Sequence, residues 1–327
     1  MYAAAEAQPN VALIKYWGKR NDALNLPAAG SLSITLDALH TQTTVHFDAT
    51  LADDDVVVNG KRDPDQARRV GAVLDLLRAR AGIATRARVR STNDFPTSAG
   101  LASSASGFAA LAAAANGALG LGLDARELSI LARRGSGSAA RSIFGGYVEM
   151  AAGTRDDGED AFASPLLDAS TWPLTVVIAI TSHAPKAIGS RAGMRASQRT
   201  SRYYGDWIAS VPNDLAIARA AIAARDFEQL AAVSEASCLA MHAMMLAAHP
   251  AIIYWNGTTL DCIQRIRALQ ADGVNVFFTV DAGPQVKAVC LPDAAAHVAD
   301  ALREVAGVED VLLSGLGDGA RVLEGRA

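Results

Sequence analysis

The sequence reads as a mixture of strands and helices, and three observations carry that reading. Short period-two stretches crowd the first third of the chain, amphipathic helical stretches fill much of the middle, and strand patterns return near the end. The chain has 327 residues, 50% of them hydrophobic and 20% charged, an ordinary globular profile long enough for one or two domains.

Taken in order, residues 10–14 read as an apolar strand running into a polar, aromatic loop that carries Lys15 and Lys19. After Gly30, Leu32, Ile34 and Leu36 alternate with polar residues, a half-buried strand. Residues 41–48 and 55–59 read as further strands, with Asn59-Gly60 as a hairpin turn. Residues 65–80 are amphipathic, with Val70, Val73, Leu74 and Leu77 along one side. On pattern alone, Arg68 and Arg69 near its start are a solvated face.

Residues 87–91 read as a strand leading into Asp94-Phe-Pro-Thr-Ser-Ala-Gly-Leu-Ala-Ser-Ser-Ala-Ser-Gly107. Pro96 fixes one dihedral and Gly100 frees another. From Leu101 the pattern turns helical, with Leu101, Ala105, Phe108 and Ala112 on one face. A loop of small residues thus runs into a helix N-terminus, whose unpaired N–H groups favour a phosphate. The hydroxyls of Ser103 and Ser104 add hydrogen-bonding capacity there. It is not a Walker loop, since G-x-x-x-x-G-K-[ST] is absent. On spacing alone, an Ala/Ser-rich helix packed tightly on a sheet fits equally well.

Gly120 and Gly122 close this helix, and Asp124-Ala-Arg-Glu127 starts the next in a capping-box pattern, through Leu131. Gly135-Ser-Gly-Ser-Ala-Ala140 mimics a dinucleotide fingerprint, but a helix precedes it where a strand is required, so that reading is rejected. Residues 147–151 read as a strand, 153–164 as a loop and 174–180 as a strand; a turn over 182–190 carries Lys186. Helices are expected over 200–211, 213–224 and 226–248, with His242 a core histidine on a Met-rich face. Residues 274–280 form a buried strand that delivers Asp281-Ala-Gly-Pro284, on pattern alone an Asx turn. A helix over 294–305 and two strands around Gly315-Leu-Gly-Asp-Gly319 complete the chain; that glycine turn is assigned no chemistry, and no internal repeat is visible.

Net charge is −4, so the surface as a whole does not advertise binding to nucleic acid or membrane, and an anion site must be a local basic patch. Cys238, Cys262 and Cys290 lie far apart without a C-x-x-C and read as buried thiols in a reducing compartment. Residues 1–10 lack a basic start and a long apolar run, so no signal peptide is expected. Runs such as 174–180 are too short to span a bilayer, and a cytoplasmic protein is expected. The six histidines show no metal-ligand spacing, and metal ligands stay unassigned. Of 30 basic residues only five are lysine: Lys15, Lys19, Lys61, Lys186 and Lys287. Where arginine is the default cation, a retained lysine points to a need for a compact, mobile ammonium.

Pro96-Thr-Ser-Ala-Gly-Leu-Ala-Ser-Ser-Ala105 resembles the phosphate loop of the GHMP kinase superfamily, and the fuller string from Asn93 to Gly107 resembles its diphosphomevalonate decarboxylase branch. Lys15-Tyr-Trp-Gly-Lys19 with Asn10 upstream, Ser136-Gly-Ser-Ala-Ala-Arg141, Gly189-Ser-Arg-Ala-Gly-Met194 and Asp281-Ala-Gly-Pro284 resemble further blocks of that family, drawn from both halves of the chain. The chain departs from the family at Gly189, where a serine is usual, and at Met244, where a threonine is usual. Many relatives carry Cys or Ser where Ala140 stands, so that position is read as packing.

The resemblance implies a GHMP-kinase-like two-domain α+β fold. A mixed α/β domain over 1–171 would carry a left-handed βαβ-type phosphate loop, a ferredoxin-like domain would span 172–327, and the active site would lie in the cleft between them. It implies ATP- and Mg2+-dependent decarboxylation of mevalonate 5-diphosphate to isopentenyl diphosphate, ADP, phosphate and CO2, by a protein that is commonly a homodimer. The rivals are a simple kinase of the superfamily, a mevalonate monophosphate decarboxylase and a non-catalytic ligand binder. By resemblance Asp281 is the candidate base for the 3-hydroxyl, Lys15 offsets nearby negative charge and Arg141 holds the substrate carboxylate. Asn10, Tyr16, Trp17, Gly18, Lys19, Arg68, Ser136, Gly137, Ser138, Ala139, Ala140, Ser190 and Arg191 carry over as substrate-binding. Asn93, Pro96, Ser98, Gly100, Leu101, Ala102, Ser103 and Ser104 carry over as nucleotide-binding, with Ser104 the leading side-chain ligand.

Overall fold

The computed structural model describes residues 1–95 and 103–323. The strands are β1 (Tyr2–Ala7), β2 (Asn10–Ile14), β3 (Lys19–Asn21), β4 (Leu26–Pro27), β5 (Ser31–Thr35), β6 (Thr41–Phe47), β7 (Asp55–Val58), β8 (Ala87–Asn93), β9 (Tyr147–Met150), β10 (Ala163–Leu167), β11 (Thr175–Ile180), β12 (Val276–Val280), β13 (Val286–Cys290), β14 (Asp310–Ser314) and β15 (Arg321–Leu323). The helices are α1 (Pro64–Ala81), α2 (Ser103–Leu119), α3 (Ala125–Gly135), α4 (Ser190–Thr200), α5 (Tyr204–Ala224), α6 (Phe227–Leu246), α7 (Gly257–Ala271) and α8 (Ala295–Arg303).

Three sheets organise the chain, in the orders β15-β1-β6-β8-β7, β10-β9-β5-β2 and β12-β13-β11-β14, and a two-stranded ribbon, β3-β4, presents Lys19. The first sheet is covered by α1, α2 and α3, through Val45, Phe47, Val73, Leu74, Leu77, Val89 and the alanines of α2. The third sheet shows period two. Val177 and Ala179 face a core with α7 and α8, while Val176, Ile178, Phe277 and Val289 face a core shared with β2, β5 and α6. That shared core joins the two halves, since it also holds Val11, Leu13, Leu32 and Ile34. No helix among the described residues is long and apolar enough to cross a membrane.

Local chemistry accounts for the element ends. Asp63 caps α1 by accepting from the Gln66 N–H, and Gly82 ends it in the left-handed region at φ 65°. The capping box at Asp124 and Glu127 forms as expected, and α3 runs on to Gly135. The Asn59-Gly60 turn forms with φ 48° and 73°, but it closes a single bridge from Val58 to Lys61, and β7 instead pairs in parallel with β8 across α1.

Several expectations need correction. The two helices anticipated over 200–211 and 213–224 are one helix, α5, running through Pro212. Buried Trp207 and Val211 before the proline, and Leu215 and Ala218 after it, hold the helix together across the missing N–H. The loop read over 153–164 ends sooner, since residues 163–167 form β10 on β9. β1, β13, α4 and α7 were not anticipated at all. The glycine turn after β14 has a packing role. The Thr35 N–H donates to the Gly146 carbonyl (3.0 Å), the Gly146 N–H to the Gly317 carbonyl (2.8 Å) and the Gly317 N–H to the Thr35 carbonyl (2.9 Å). The returning chain then adds β15 beside β1, so the C-terminal residues complete the first sheet.

A Cβ at position 145 would lie 2.5 Å from both the Gly317 carbonyl oxygen and the Asp318 Cα, which are backbone atoms with nowhere to go. Gly145→Ala is expected to destabilise the protein by about 1–3 kcal/mol, read from the urea midpoint at unchanged slope; an unshifted midpoint would refute the tight crossing.

Candidate active site

Strands β2 and β12 deliver the two central side chains. Lys15 is the first residue beyond β2 and Asp281 the first beyond β12. The Lys15 ammonium donates to Asp281 Oδ1 at 2.7 Å and to the Ala12 carbonyl at 2.9 Å, and its side chain is 1% exposed. On the other side Lys287, in β13 and equally buried, approaches Asp281 Oδ2 at 3.6 Å. Burial would raise the Asp281 carboxyl, but Lys15, Lys287 and Arg141 outweigh it and hold it down to about 2.

A cavity of about 490 Å³ opens beside this pair. Its lining includes six cations, Lys15, Lys19, Arg69, Arg141, Lys186 and Arg191, against one carboxylate, Asp281. Arg141 sits in the short 3-10 turn Gly137–Ile143, with its guanidinium braced by the sheet. Its Nε donates to Ser33 Oγ (2.9 Å), one Nη to Asn10 Oδ1 (3.1 Å) and the other to Ser31 Oγ. These bonds leave one N–H on each terminal nitrogen, a geometry suited to a carboxylate fork. Asn10 is fixed in turn by donating to Ser142 Oγ (2.8 Å) and the Ser138 carbonyl (3.0 Å).

At the opposite end Lys19 donates to Asn25 Oδ1 at 2.5 Å, and burial together with Arg191 brings its pKa down to about 8, opposed by Asp22. Arg69 and Arg191 both donate to the Gly135 carbonyl, each at 2.9 Å, at the C-terminus of α3. Burial lowers Arg69 and Arg141 to about 10, which leaves both cationic at neutral pH. Tyr16 lies with its hydroxyl buried and unpartnered, pushed up to about 12 by burial, and Arg69 Nε is also unpartnered. A Cβ at Gly137 would meet that hydroxyl at 2.1 Å, so the turn must be glycine there. Ser104, in the first turn of α2, lies 3.2 Å from Ser136 Oγ.

A second, smaller cavity of about 120 Å³ adjoins the first, with Arg69 and Ser104 in both linings; it is bounded by α1, β8 and α2 and includes Asn93 and Ser103. Among the described residues no cluster of three or more His, Cys, Asp or Glu side chains could hold a metal ion.

Of the residues singled out from sequence, the larger cavity brings together Asn10, Lys15, Tyr16, Trp17, Lys19, Ser104, Ser136, Gly137, Ser138, Arg141, Ser190, Arg191 and Asp281. It does not bring in Arg68, which is 76% exposed and paired with Asp65 at 2.8 Å. The neighbouring Arg69 enters instead, because it sits four residues before buried Val73 on the inward side of α1. Ala139 and Ala140 are fully buried packing residues away from the lining. Gly18 takes φ +96° with its missing Cβ against Tyr204. Pro96, Ser98, Gly100, Leu101 and Ala102 lie outside the described residues. His242 is buried, and burial lowers it to about 3, as befits a neutral core histidine.

Sequence reasoning assigned no role to Lys186 or Lys287. The scarcity of lysine was the available signal: four of the five lysines, all but Lys61, gather around Asp281 and its cavity.

The model of the "Diphosphomevalonate decarboxylase-like N-terminal domain" matches residues 7–163, and that of the "Mevalonate 5-diphosphate decarboxylase C-terminal domain" matches residues 176–316. The diphosphomevalonate decarboxylase of Candida albicans is 38% identical over 300 residues, covering 87% of this chain and 83% of that protein. The human diphosphomevalonate decarboxylase is 37% identical, covering 89% and 77%. The solved mevalonate diphosphate decarboxylase of Staphylococcus aureus superposes with a TM-score of 0.93 at 36% identity, covering 99% of this chain and 98% of that one. A structure called MDDEF, in complex with MVAPP, AMPPCP and magnesium, superposes with a TM-score of 0.92 at 40% identity, covering 99% of each chain. The two-domain GHMP-kinase-like architecture, the cationic cavity and these matches along both halves together establish that the chain belongs to the diphosphomevalonate decarboxylase family.

Proposed function

We propose that this protein catalyses the ATP-dependent decarboxylation of mevalonate 5-diphosphate to isopentenyl diphosphate, with release of ADP, phosphate and CO2. The observation that carries the reading is the cavity itself, whose lining holds six cations and a single carboxylate, the latter held between two buried lysines. A site so charged is built for a polyanion. The unpartnered Tyr16 hydroxyl and Arg69 Nε are donors that a bound anion would satisfy.

The chemistry follows from the substrate. A tertiary hydroxide is a poor leaving group. Transfer of the γ-phosphoryl of ATP to the 3-hydroxyl oxygen makes it a good one. The C3–O bond then breaks to release phosphate, the C1–C2 bond breaks to release CO2, and its electron pair forms the new C2–C3 double bond. Catalysis of such a transfer rests on positioning and charge neutralisation.

Asp281 accepts a hydrogen bond from the 3-hydroxyl and takes its proton late, as the O–P bond forms. A carboxylate held to about 2 is too weak a base to deprotonate a free tertiary alcohol. Lys15 holds the carboxylate in place and offsets the charge gathering beside it. The two remaining N–H groups of Arg141 align the substrate carboxylate for departure. Tyr16, Lys19, Ser190 and Arg191 grip the diphosphate, joined by Arg69. Ser104 and the first turn of α2 face the nucleotide phosphates, and the smaller cavity beyond Ser104 is the proposed place for the base. Magnesium carried on those phosphates would neutralise charge during transfer, and Ser104, in the lining of the cavity, would offer it a hydroxyl.

On this reading residues 1–171 and 172–327 are the two domains that close on the cavity, with the last strand crossing back to the first. Association into a homodimer and residence in the cytoplasm are proposed on family membership alone.

The reading is tested by CO2 and ADP release from mevalonate 5-diphosphate against mevalonate 5-phosphate. Losing the outer phosphate removes charge-assisted bonds of about 1.5–3 kcal/mol each, so kcat/KM is expected to fall at least ~10²-fold with the monophosphate; equal use of both would overturn the substrate assignment. Asp281→Asn is expected to keep diphosphate binding, by calorimetry, while lowering kcat about 10²–10⁴-fold. Unchanged turnover would remove Asp281 from the mechanism. Lys19 carries charge below its pKa of about 8 and loses it above, so kcat/KM should decline above pH 8 and the decline should move to higher pH in Lys19→Arg. A profile that stays flat from pH 7 to pH 10 in the unaltered protein would exclude Lys19 from the diphosphate grip.

A further inference from the structure

Helix α6 runs behind the Lys15–Asp281 pair, contributes neither of them, and bonds to the backbone of both strands that deliver them. On one side, Ser237 Oγ accepts from the Lys15 backbone N–H at 3.1 Å in a fully buried contact. On the other, three side chains of α6 serve β12, an edge strand whose outward N–H groups have no neighbouring strand among the described residues. Glu235 Oε1 accepts from the Phe278 N–H at 3.1 Å, and Cys238 Sγ accepts from the Val280 N–H at 3.2 Å. His242 Nε2 lies 3.1 Å from the Val280 carbonyl. The spacing of 235, 238 and 242 is one helix face, matched to alternate residues of an extended strand.

His242 Nε2 also lies 3.3 Å from the Trp255 indole N–H, and one neutral ring nitrogen cannot both donate and accept. A bare Nε2 would set a lone pair against the Val280 oxygen, so the shorter contact assigns the proton to Nε2, donating to that carbonyl. A direct bridge from Thr279 Oγ1 to the Ala12 carbonyl at 3.3 Å closes the frame between β12 and β2. Val280 immediately precedes Asp281, and the Ala12 carbonyl also receives the Lys15 ammonium.

We propose that α6 is a positioning element for the reaction, in which Ser237, Cys238 and His242 fix the backbone of Lys15 and of the peptide before Asp281, and so set the separation of ammonium and carboxylate. The proposal rests on the reading of Lys15 and Asp281 given above. None of the three touches the cavity; they act on geometry, where a misplacement of about 1 Å is worth as much as ~10²-fold in rate. They are positioning residues.

The test compares His242→Phe, which removes the donor and keeps an aromatic ring against Trp255, with His242→Gln, whose amide restores a donor near Nε2. Each is assayed with mevalonate 5-diphosphate and ATP, alone and in an Asp281→Asn background. His242→Phe is expected to lower kcat about 10-fold with KM within about 2-fold, and His242→Gln to recover most of that loss. In the Asp281→Asn background, His242→Phe should change the rate less than about 2-fold, because the group it positions is gone. A full additional loss in that background, or a lowered melting temperature with kcat unchanged, would overturn the proposal. Ser237→Ala, a smaller change at the other end of the frame, is expected to lower kcat with KM held, and it carries the test if His242→Phe does not fold. Unimpaired turnover by Asp281→Asn itself would overturn the site reading and this proposal together, whereas the other failures overturn this proposal alone.

Discussion

Everything in this structure is arranged around one carboxylate that sits among more cations than it can neutralise. Asp281 bonds Lys15 at 2.7 Å and meets Lys287 at 3.6 Å, and half-exposed Asp22 lies 3.8 Å from Lys19, while among the described residues Arg69, Arg141 and Arg191 have no carboxylate within salt-bridge distance. They are held by neutral dipoles: Asn25 takes Lys19, the Gly135 carbonyl takes Arg69 and Arg191, and Asn10, Ser31 and Ser33 take Arg141. Such partners fix direction without cancelling charge. The site therefore carries a positive potential in a partly desolvated setting, where interaction with a polyanion is strong. The unfavourable work of gathering those charges is done during folding and offset by the apolar core around them.

That core explains why the catalytic geometry needs both halves of the chain. β2 brings Lys15 from the N-terminal half, β12 and β13 bring Asp281 and Lys287 from the C-terminal half, and Val11, Leu13, Phe277 and Val289 pack in one cluster between them. Trp17 extends the seam by donating to Ser197 Oγ in α4 at 3.1 Å, so the helix that carries Arg191 is tied to the loop after β2 that carries Lys15. The separation of the reacting groups is a property of packed elements, which yield little.

Much of this was legible in the sequence. Caps at Asp124 and the glycine stops after α2 are local chemistry, and the strands at 10–14 and 174–180 are apolar enough to declare themselves. What escaped depends on tertiary context. Pro212 is a local stop signal that buried Val211 and Leu215 override. β10 contains Pro165 and exposed Ser164, so no period-two pattern marks it. Arg68 and Arg69 are indistinguishable by chemistry, and only the phase of α1, set by Val73 one turn later, sends one inward and the other to solvent. Lys287 lies mid-strand in an apolar run, where a cation makes sense only once Asp281 is known to lie beside it. The cluster of lysines was visible as a count before any geometry assigned it a place.

The treatment of β12 has a consequence for how the protein behaves among its own copies. An uncovered strand margin is a template on which another chain can add and begin to aggregate. Here Glu235, Cys238 and His242 occupy the outward hydrogen-bonding positions at Phe278 and Val280, so that margin is already spoken for. Among the described residues the other terminal strand of the third sheet is β14, which begins at exposed Asp310 directly after exposed Glu309. Adjacent negative charges at the start of that strand repel an incoming strand of like composition. The same helix that frames the chemistry thus also guards the fold against runaway self-assembly.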